Sequence, residues 1–386
     1  MKIVHICLGC FFPDNYSYQE NLLPKFHKQL GYDVSVIASL MTFDKYGKTS
    51  YIEKASSYIN EYGIPVTRLE YKSPNKIYKK LKRYTGTFEA LKREKPDILF
   101  IHGCQFMDID KVVAYINTRN DITVYVDNHA DFSNSATNFL SKNVLHKILW
   151  RNAARKIEPY TKKFYGVLPA RVDFLINIYK LPKEKCELLV MGADDDKIEE
   201  AVEEDSRNKI RTQYGVAEDD FLIMFGGKID AWKTQILLLM QAVRELDISN
   251  VKLIIFGSVT QELKGKVESL CEAGKIEYIG WIKAEDSYHY WSAADLAVFP
   301  GRHSVFWEQV AGMGIPMICK YWDGTTHIDI GGNVKFLKED SVEEIKRTLS
   351  EVIEKEYVKM KEVAQGVGKN TFSYKDIALR AIEQKR

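Results

Sequence analysis

Residues 221–246, FLIMFGGKIDAWKTQILLLMQAVREL, contain the pattern from which the fold can be predicted. A short, continuous apolar run ends in two glycines. The segment after it places Ile236, Leu239, Met240 and Val243 on one side of a helix. Such a run is typical of a strand buried on both faces of a parallel sheet, and the later spacing is typical of an amphipathic helix. The passage therefore predicts one strand–turn–helix unit of an α/β fold.

The same alternation occurs along the whole chain, in two series of apolar runs. The runs are KIVHIC (2–7), YDVSVIA (32–38), DILFIHG (97–103), ITVYVDN (122–128), FYGVLP (164–169) and CELLVMG (186–192), then FLIMFGG (221–227), KLIIFG (252–257), IEYIG (276–280), LAVFPG (296–301) and PMICKY (316–321). Two series predict two doubly wound, Rossmann-like α/β domains. The acidic stretch 194–209 separates them, so we predict a first domain over 1–195 and a second that starts at 196.

Length and composition limit the classes of protein to consider. The chain has 386 residues, 45% of them hydrophobic and 28% charged, with a formal net charge of +2. This is an ordinary globular composition, and it argues against a dedicated nucleic-acid binder. No apolar stretch approaches the roughly 20 residues that span a bilayer, and the N-terminus is too short for a signal peptide. Scattered cysteines indicate reduced thiols, so we expect a cytoplasmic protein.

Two lysines follow the glycine pair at the end of the 221–227 run. Gly226 and Gly227 allow another molecule to approach the main chain closely, and Lys228 and Lys233 lie on either side of the turn into the helix. The free N–H groups at the start of a helix favour an anion, and two cations add to that preference. The arrangement predicts a phosphate-binding site.

Polar or glycine residues also follow several other predicted strands. They are His102, His129, Gly257, Gly280 with Trp281, and the segment that holds His303, Ser304 and Val305. Because ligands of open α/β sheets bind beyond the carboxyl ends of the strands, we expect these residues at one ligand site, in a cleft where the two domains face each other. His102 alone is equally well explained as an interior histidine. His129, between Asn128 and Asp131, is the better candidate for a hydrogen-bond donor or a base.

In these features the chain resembles the GT-B glycosyltransferases, and specifically glycosyltransferase family 4 (the group 1 transferases). The family has Gly-Arg and then a Lys five residues later, where this chain has Gly227-Lys228 and Lys233. The passage IEYIGWIKAEDSYHYWSAADLAVFP (276–300) resembles the family's strand, glycine, helix and "AADL…P" segment. The tail resembles the helix that crosses back to the first domain. The resemblance implies GT-B domains over 1–195 and 196–365 and a crossing helix over 366–386.

The resemblance also implies roles for the candidate residues. Lys228 and Lys233 would stabilise the phosphates of a nucleotide diphosphate sugar as its glycosidic bond breaks, and His129 would contact the transferred sugar or relay a proton. Glu308 would hydrogen-bond the ribose hydroxyls, and the backbone at Gly280 and Trp281 would hold the base. The chain departs from the family where two glutamates with seven residues between them are expected, because those positions carry Gly301 and Gln309. His303 or Ser304 would then face the sugar.

The implied activity is a hexosyltransferase (EC 2.4) reaction with retention, without a metal or other cofactor. The acceptor would be a glycan or a lipid-linked glycan. The stretch 72–93 is rich in lysine and arginine, and it is either a solvated helix or a surface for anionic lipid at the inner face of the membrane. Two alternatives remain open: a non-catalytic protein that binds nucleotide sugars or glycans, and a nucleotide-sugar epimerase of the same architecture.

Overall fold

The computed structural model describes residues 1–43, 49–119, 121–136 and 138–384. They form two compact units. The first comprises Met1–Val190 with Ile377–Arg386, and the second comprises Met191–Asp376. The chain changes units at 190/191 and 376/377, where the sequence predicted changes at 195/196 and 365/366. The acidic stretch 194–209 is not a linker, because it forms two helices of the second unit.

The first unit is built on a sheet of eight strands in the order β10-β9-β8-β7-β1-β2-β6-β5. Its strands are β1 Lys2–Cys7, β2 Asp33–Ala38, β5 Ser57–Ile59, β6 Pro65–Arg68, β7 Ile98–His102, β8 Thr123–Asn128, β9 Thr161–Gly166 and β10 Cys186–Leu188, and a separate hairpin pairs β3 Met41–Phe43 with β4 Thr49–Tyr51. Neighbouring strands of the sheet are parallel except β5, which is antiparallel to β6.

Helices cover the sheet of the first unit. They are α1 Gln19–Gln29, α2 Lys76–Leu81, α3 Thr87–Glu94, α4 Ile109–Ile116, a wide π-type helix Ser141–Trp150 that continues as α5 Arg151–Ile157, and α6 Pro169–Asn177. The last helix of the chain, α16 Tyr374–Ala381, begins in the second unit, and its residues from Ile377 onward pack with the first.

The second unit has a six-stranded parallel sheet in the order β13-β12-β11-β14-β15-β16. The strands are β11 Phe221–Gly226, β12 Val251–Phe256, β13 Ile276–Gly280, β14 Leu296–Phe299, β15 Met317–Lys320 and β16 Val334–Leu337. The helices are α7 Asp195–Glu203, α8 Ser206–Gln213, α9 Ile236–Arg244, α10 Gln261–Leu270, α11 Ser287–Ala293, α12 Phe306–Gly312, α13 Val342–Glu351, α14 Tyr357–Val363 and α15 Lys369–Thr371, with π-type turns at Val352–Glu356 and Ala364–Gly368.

The continuous apolar runs form the central strands, as the sequence predicted. Nearly every residue of β1, β7, β11 and β14 is buried, because helices pack on both faces of each sheet. The short strands of 41–68 and β16 were not predicted, because their side chains are mixed and only half-buried. No helix among the described residues is long and apolar enough to cross a bilayer.

The strand orders identify the place in each sheet where a ligand is expected. Both sheets reverse their direction of winding, between β1 and β7 in the first unit and between β11 and β14 in the second. Crevices beyond the carboxyl ends of strands at such a reversal are the usual ligand sites of doubly wound folds. The residues after β1, β7, β11 and β14 are therefore the ones to examine.

Candidate functional site

An open pocket of about 280 Å³ lies beyond β11 and β14, at the reversal of the second sheet. Its lining comes from the ends of these two strands and from the segments that follow them: Phe225, Gly226, Lys233, Ile236, Phe299, Pro300, Gly301, Arg302 and Ser304. Of the residues predicted from sequence, the pocket brings together Gly226, Lys233 and Ser304. Its floor is apolar and its polar groups are cationic or neutral, which suits an anionic ligand.

Lys233 is the half-buried cation of this pocket. Its backbone N–H donates to the carbonyl of Asp230 at 2.9 Å, which closes the turn after β11. Burial lowers the pKa of the Lys233 ammonium, and repulsion from Lys228 and Arg302 lowers it further, while Asp230 opposes the shift. A bound anion would relieve this repulsion. Lys228 itself is exposed, with its Nζ 3.3 Å from Asp230 Oδ2.

Arg302 is a third cation at the pocket, and sequence reasoning missed it. Its guanidinium lies over the ring of Trp232 at 4.9 Å from the centroid, so the side chain is steered by a cation–π contact. The sequence did contain one indication of this role, because Arg302 directly follows the Pro-Gly pair that comes after β14. Asp230 is the carboxylate that lies near Lys228 and acts on the Lys233 ammonium.

Two of the predicted ligand-binding glycines are needed for packing within the unit. A Cβ on Gly226 would lie 2.3 Å from the ring of Phe256, so this glycine makes room for the aromatic core. Gly257 has φ +132°, and a Cβ there would lie 1.9 Å from the carbonyl oxygen of Gly227. Both glycines therefore shape the loops around the pocket, whereas Gly227 keeps open space on its Cβ side, with a single neighbour at 3.7 Å.

Gly280 and Trp281 form an exposed corner at the end of β13. Gly280 has φ +82° with open space around it, and its carbonyl accepts from the Gly257 N–H at 2.7 Å. The Trp281 side chain is 69% exposed. The backbone is therefore fixed, while a flat aromatic surface stands free in solvent. This geometry is compatible with the predicted contact to a base, but it does not place the corner in the pocket lining.

Glu308 differs most from its predicted role. Its side chain is fully buried, and its Oε1 accepts from His303 Nε2 at 2.7 Å and from His327 Nε2 at 3.0 Å. Despite burial, the two imidazoles lower the pKa of the Glu308 carboxyl to about 2. Contact with ribose hydroxyls is blocked by this burial. The structure instead makes Glu308 the residue that holds His303 beside Ser304.

The same trio forms a group of candidate metal ligands. The ligand atoms of His303, Glu308 and His327 lie within 4.8 Å of one another. Glu308 Oε2 and His327 Nδ1 are buried without a hydrogen-bond partner among the described residues. Two histidines and a glutamate match the donor set of catalytic zinc sites, so the residues fit a divalent cation as well as a hydrogen-bonded carboxylate. His327 was not singled out from the sequence, because it lies far from His303 along the chain.

Val305, just before α12, and Gln309, within α12, differ in their exposure to solvent. Val305 is exposed, whereas Gln309, at the position of the second family glutamate, is buried. The Gln309 amide donates to Ser287 Oγ at 2.8 Å. Gln309 is therefore engaged within the second unit, and Ser304 and Val305 are the accessible members of this predicted segment.

In the first unit, His129 lies directly after β8 and faces two carboxylates. Its Nε2 is 3.4 Å from Asp127 Oδ2 and 4.0 Å from Glu20 Oε1, yet this buried nitrogen makes no hydrogen bond to a described residue. Burial opposes the charged ring, but Glu20 and Asp127 dominate and raise the pKa of His129, although Arg171 lowers it slightly. About a third of the side chain remains exposed. The two carboxylates therefore favour the charged form of the ring, and one edge stays open to a ligand.

Behind Asp127, three buried histidines form an unbroken hydrogen-bonded chain. His27 Nε2 contacts the Ala378 carbonyl at 2.8 Å, and His27 Nδ1 contacts His5 Nε2 at 3.0 Å. His5 Nδ1 contacts His102 Nε2 at 2.9 Å, and His102 Nδ1 contacts Asp127 Oδ2 at 2.8 Å. The chain thus runs from the carbonyl of α16 to the carboxylate that faces His129.

Counting protons fixes the charge of this histidine chain. A carbonyl at one end and a carboxylate at the other can only accept, so the four contacts need four protons, whereas three neutral imidazoles carry three. One ring is therefore an imidazolium. Burial lowers the pKa of His27 to about 4 and also that of His5, while Asp127 outweighs burial and raises the pKa of His102 to about 9. The extra proton resides on His102, and Asp127 stays a carboxylate.

His102 is consequently an interior residue. Both of its ring nitrogens are occupied and its side chain is fully buried, so it has no free atom for a ligand. His102 acts on the partly exposed His129 through the Asp127 carboxylate, which lies near both rings. This corrects the expectation that His102 binds substrate, and the interior alternative considered from the sequence describes it better.

The basic stretch 72–93 is partly turned inward. Lys82 Nζ donates to the Gly9 carbonyl, and burial lowers the pKa of Lys82 to about 8. Arg83 lies 3.6 Å from Asp110, and Tyr71 and Tyr84 are part of the core. The stretch therefore offers a weaker cationic surface than its composition suggests.

Comparison with known proteins finds a family match within the second unit. Residues 206–367 match the family described as "Glycosyl transferases group 1". A curated relative, an uncharacterised glycosyltransferase of Methanocaldococcus jannaschii, is 23% identical over 134 residues, which are 34% of this chain and 34% of that protein. The chain thus aligns with about a third of that relative's length. The predicted resemblance to group 1 transferases is confirmed, whereas membership of family 4 stays a prediction.

Solved structures share the fold over nearly the whole chain. A glycosyltransferase from Rickettsia africae has a TM-score of 0.68 at 14% identity, covering 99% of this chain and 97% of that one. Anabaena HepE, solved in complex with UDP, has a TM-score of 0.67 at 15% identity, covering 99% of each chain. A UDP-GlcNAc 2-epimerase from Neisseria meningitidis has a TM-score of 0.62 at 12% identity, also covering 99% of each. The predicted GT-B fold of two Rossmann-like domains is confirmed.

Proposed function

We propose that this protein, whose residues 206–367 form a group 1 glycosyltransferase domain, transfers a hexose from a nucleotide diphosphate sugar to a glycan or lipid-linked glycan, with retention. The observation that carries the proposal is the pocket at the reversal of the second sheet, where Lys233 and Arg302 meet at the ends of β11 and β14. A solved neighbour of the same fold binds UDP, which supports the class of donor.

The proposed chemistry replaces one bond at the anomeric carbon with another. The bond from this carbon to the diphosphate oxygen breaks, the acceptor oxygen bonds to the same face of the carbon, and the acceptor proton passes to the departing diphosphate oxygen. Negative charge develops on the departing diphosphate. Lys233 and Arg302 stabilise it in the pocket, and the exposed Lys228 adds a third positive charge. The charge repulsion that lowers the pKa of Lys233 in the empty pocket favours binding of such an anion.

His129 would act as a hydrogen-bond donor to the sugar. Asp127 and Glu20 raise its pKa and so favour the ring with a proton on each nitrogen, with Nε2 toward the carboxylates. The exposed edge is left to donate to a hydroxyl or a phosphate oxygen. A charged His129 is a poor base, so of the two roles expected from the sequence we favour contact with the sugar.

The other candidate residues are assigned contacts with the donor according to where the structure places them. Ser304 and the exposed edge of His303 would meet the sugar phosphate, with Glu308 as the residue that orients His303. Trp281 and the Gly280 backbone would hold the base. Three cations supply the charge stabilisation that a metal ion often provides, so we propose a reaction without metal. Turnover that is lost in EDTA and restored by zinc would instead assign the His303–Glu308–His327 trio to a metal.

The proposal is tested by the substitution Lys233→Ala. We expect release of nucleoside diphosphate from the cognate donor to fall by about 100-fold, since a charge aimed at the leaving group is lost. The free energy of unfolding should change by under about 1 kcal/mol, because the ammonium is only half-buried. The matched control is Lys264→Ala on the exposed face of α10. Equal activity of the Lys233 variant and wild type would reject the phosphate role.

Two other functions are separated by the same assay. A non-catalytic binding protein would show a thermal shift with a nucleotide sugar and release no nucleoside diphosphate. The fold of the Neisseria meningitidis neighbour supports an epimerase as the other candidate. An epimerase would invert one carbon of the sugar, either with the nucleotide still attached or with release of the nucleotide in the absence of an acceptor. A panel of donors, with and without a glycan acceptor, distinguishes the three.

A further inference from the structure

The helix that follows the His129 loop carries an exposed apolar face. Phe139 is 80% exposed, Leu140 61% and Ile148 52%. Val144 lies between them and is also exposed, so Leu140, Val144 and Ile148 recur every four residues along one side of the helix. Exposure of large apolar side chains to water is unfavourable, and the surfaces of soluble proteins rarely group such side chains in this way.

The opposite side of the same helix is anchored in the core. His146 and Trp150 are buried, and Leu145 and Leu149 pack against the main core cluster of the first unit. His146 Nδ1 contacts the hydroxyl of Tyr179 at 2.9 Å. The helix is therefore held firmly, and its outer apolar face is a permanent surface of the protein.

Cations occur along this face, and the stretch of sequence that carries it contains no acidic residue. The sequence 132–151 contains Lys142, Lys147 and Arg151 and no aspartate or glutamate. Lys142 Nζ lies 4.6 Å from the ring centroid of the exposed Phe132, and Lys147 Nζ donates to Asn143 Oδ1 at 2.9 Å. Apolar side chains flanked by lysines are the composition of a helix that lies in the interface of an anionic bilayer.

The helix is also tied to the candidate sugar site. Asn134 Nδ2 donates to the His129 carbonyl at 2.7 Å, and Ser141 Oγ donates to the Ser135 carbonyl. These two hydrogen bonds link the His129 loop to the start of the helix. The apolar face is therefore connected, through this short segment, to the residue proposed to contact the sugar.

We propose that Phe139, Leu140, Val144 and Ile148 insert into the headgroup region of an anionic membrane, while Lys142 and Lys147 contact lipid phosphates. The protein contacts the membrane through this helix and not through the basic stretch 72–93, because Lys82 and Arg83 of that stretch are engaged internally. The consequence for chemistry rests on the proposed function: an acceptor embedded in that membrane would be presented next to His129.

Vesicle flotation of the full-length chain tests the proposal. Wild type should float with vesicles of phosphatidylglycerol and phosphatidylcholine and bind pure phosphatidylcholine at least about tenfold more weakly, because the cations contribute little there. The double substitution Phe139→Ser with Leu140→Ser should weaken binding to the anionic vesicles by at least about tenfold. Circular dichroism and thermal unfolding should match wild type, because both side chains are exposed.

Two controls locate the surface. Ile77→Ser removes an exposed apolar side chain from the basic stretch, and Val202→Ser removes one from the second unit. Neither should change flotation. Failure of wild type to float, self-association through the helix, or unchanged flotation of the double variant would overturn the proposal. Because flotation uses neither donor nor acceptor, its result is independent of turnover, which a soluble glycan acceptor measures separately.

Discussion

At the scale of single residues, burial lowers the pKa in both candidate sites, but the neighbouring charges differ. Lys233 is half-buried among other cations, and its pKa is lowered. His129 lies beside two carboxylates, and its pKa is raised. Groups with pKa values displaced by specific neighbours are typical of functional sites. Both residues are therefore candidates for contact with a ligand.

The histidine chain makes stability depend on pH. His27 has a folded pKa of about 4, below its value in an unfolded chain, so the unfolded state binds the extra proton as the pH falls from about 6.5 to 4. His102 has a folded pKa of about 9, so its contribution is complete below about 6.5 and is lost as the pH rises through 9. Stability should therefore be greatest near neutral pH.

The substitution His27→Gln tests this dependence. The Gln amide can donate to the Ala378 carbonyl and accept from His5, so the hydrogen bonds survive while the titrating group is removed. Between pH 7 and pH 5, wild type should lose about 2 kcal/mol more of its unfolding free energy than the variant. Urea denaturation at the two pH values measures the difference. Identical pH profiles would contradict the assigned protonation of His27.

At the scale of elements, the loops after β11, β12 and β13 form one interlocked set. The Gly227 N–H donates to the Phe256 carbonyl, and the Gly257 N–H donates to the Gly280 carbonyl. Ile229 and Val259 form an isolated parallel bridge. These contacts hold the turn that carries Lys228 and Lys233, so pocket geometry depends on neighbouring loops as well as on the turn itself.

Substitutions at two glycines separate close packing from backbone conformation. Gly257→Ala forces a Cβ to 1.9 Å from the Gly227 carbonyl oxygen at φ +132°, and we expect a loss of about 3 kcal/mol or more in unfolding free energy. Gly280→Ala has open space at φ +82° and should cost about 1 kcal/mol. Thermal unfolding of both variants checks the order. A smaller effect at 257 than at 280 would contradict the packing described here.

At the scale of the whole molecule, the first unit is assembled from two distant parts of the chain. Ile377, Ala378 and Ala381 are fully buried in it, and the Tyr125 hydroxyl donates to the Ile382 carbonyl at 3.2 Å. The Ala378 carbonyl also ends the histidine chain. The last helix is thus part of the first unit's core and of the network behind His129.

Removal of residues 377–386 should therefore destabilise the first unit. The loss of several buried apolar side chains and of the partner of His27 predicts a decrease of about 5 kcal/mol in its unfolding free energy. Calorimetry, together with limited proteolysis that identifies cleavage within 1–190, measures the effect. Glu383→Gln weakens the ion pair to Lys162 but keeps an oxygen that can accept from the Tyr125 hydroxyl, so it is the matched control and should change little. A truncated chain as stable as wild type would overturn this account.

The sequence by itself determined the alternation of strands and helices, the two Rossmann-like domains and the turn that carries Lys228 and Lys233. These depend on local periodicity and on residue types at strand ends, which are visible in short stretches. Only the tertiary structure brought Arg302 to Lys233, enclosed Glu308 between His303 and His327, and joined His27, His5 and His102 to Asp127. Those contacts unite residues far apart in the chain, and their protonation follows from burial and from neighbours that no local pattern encodes.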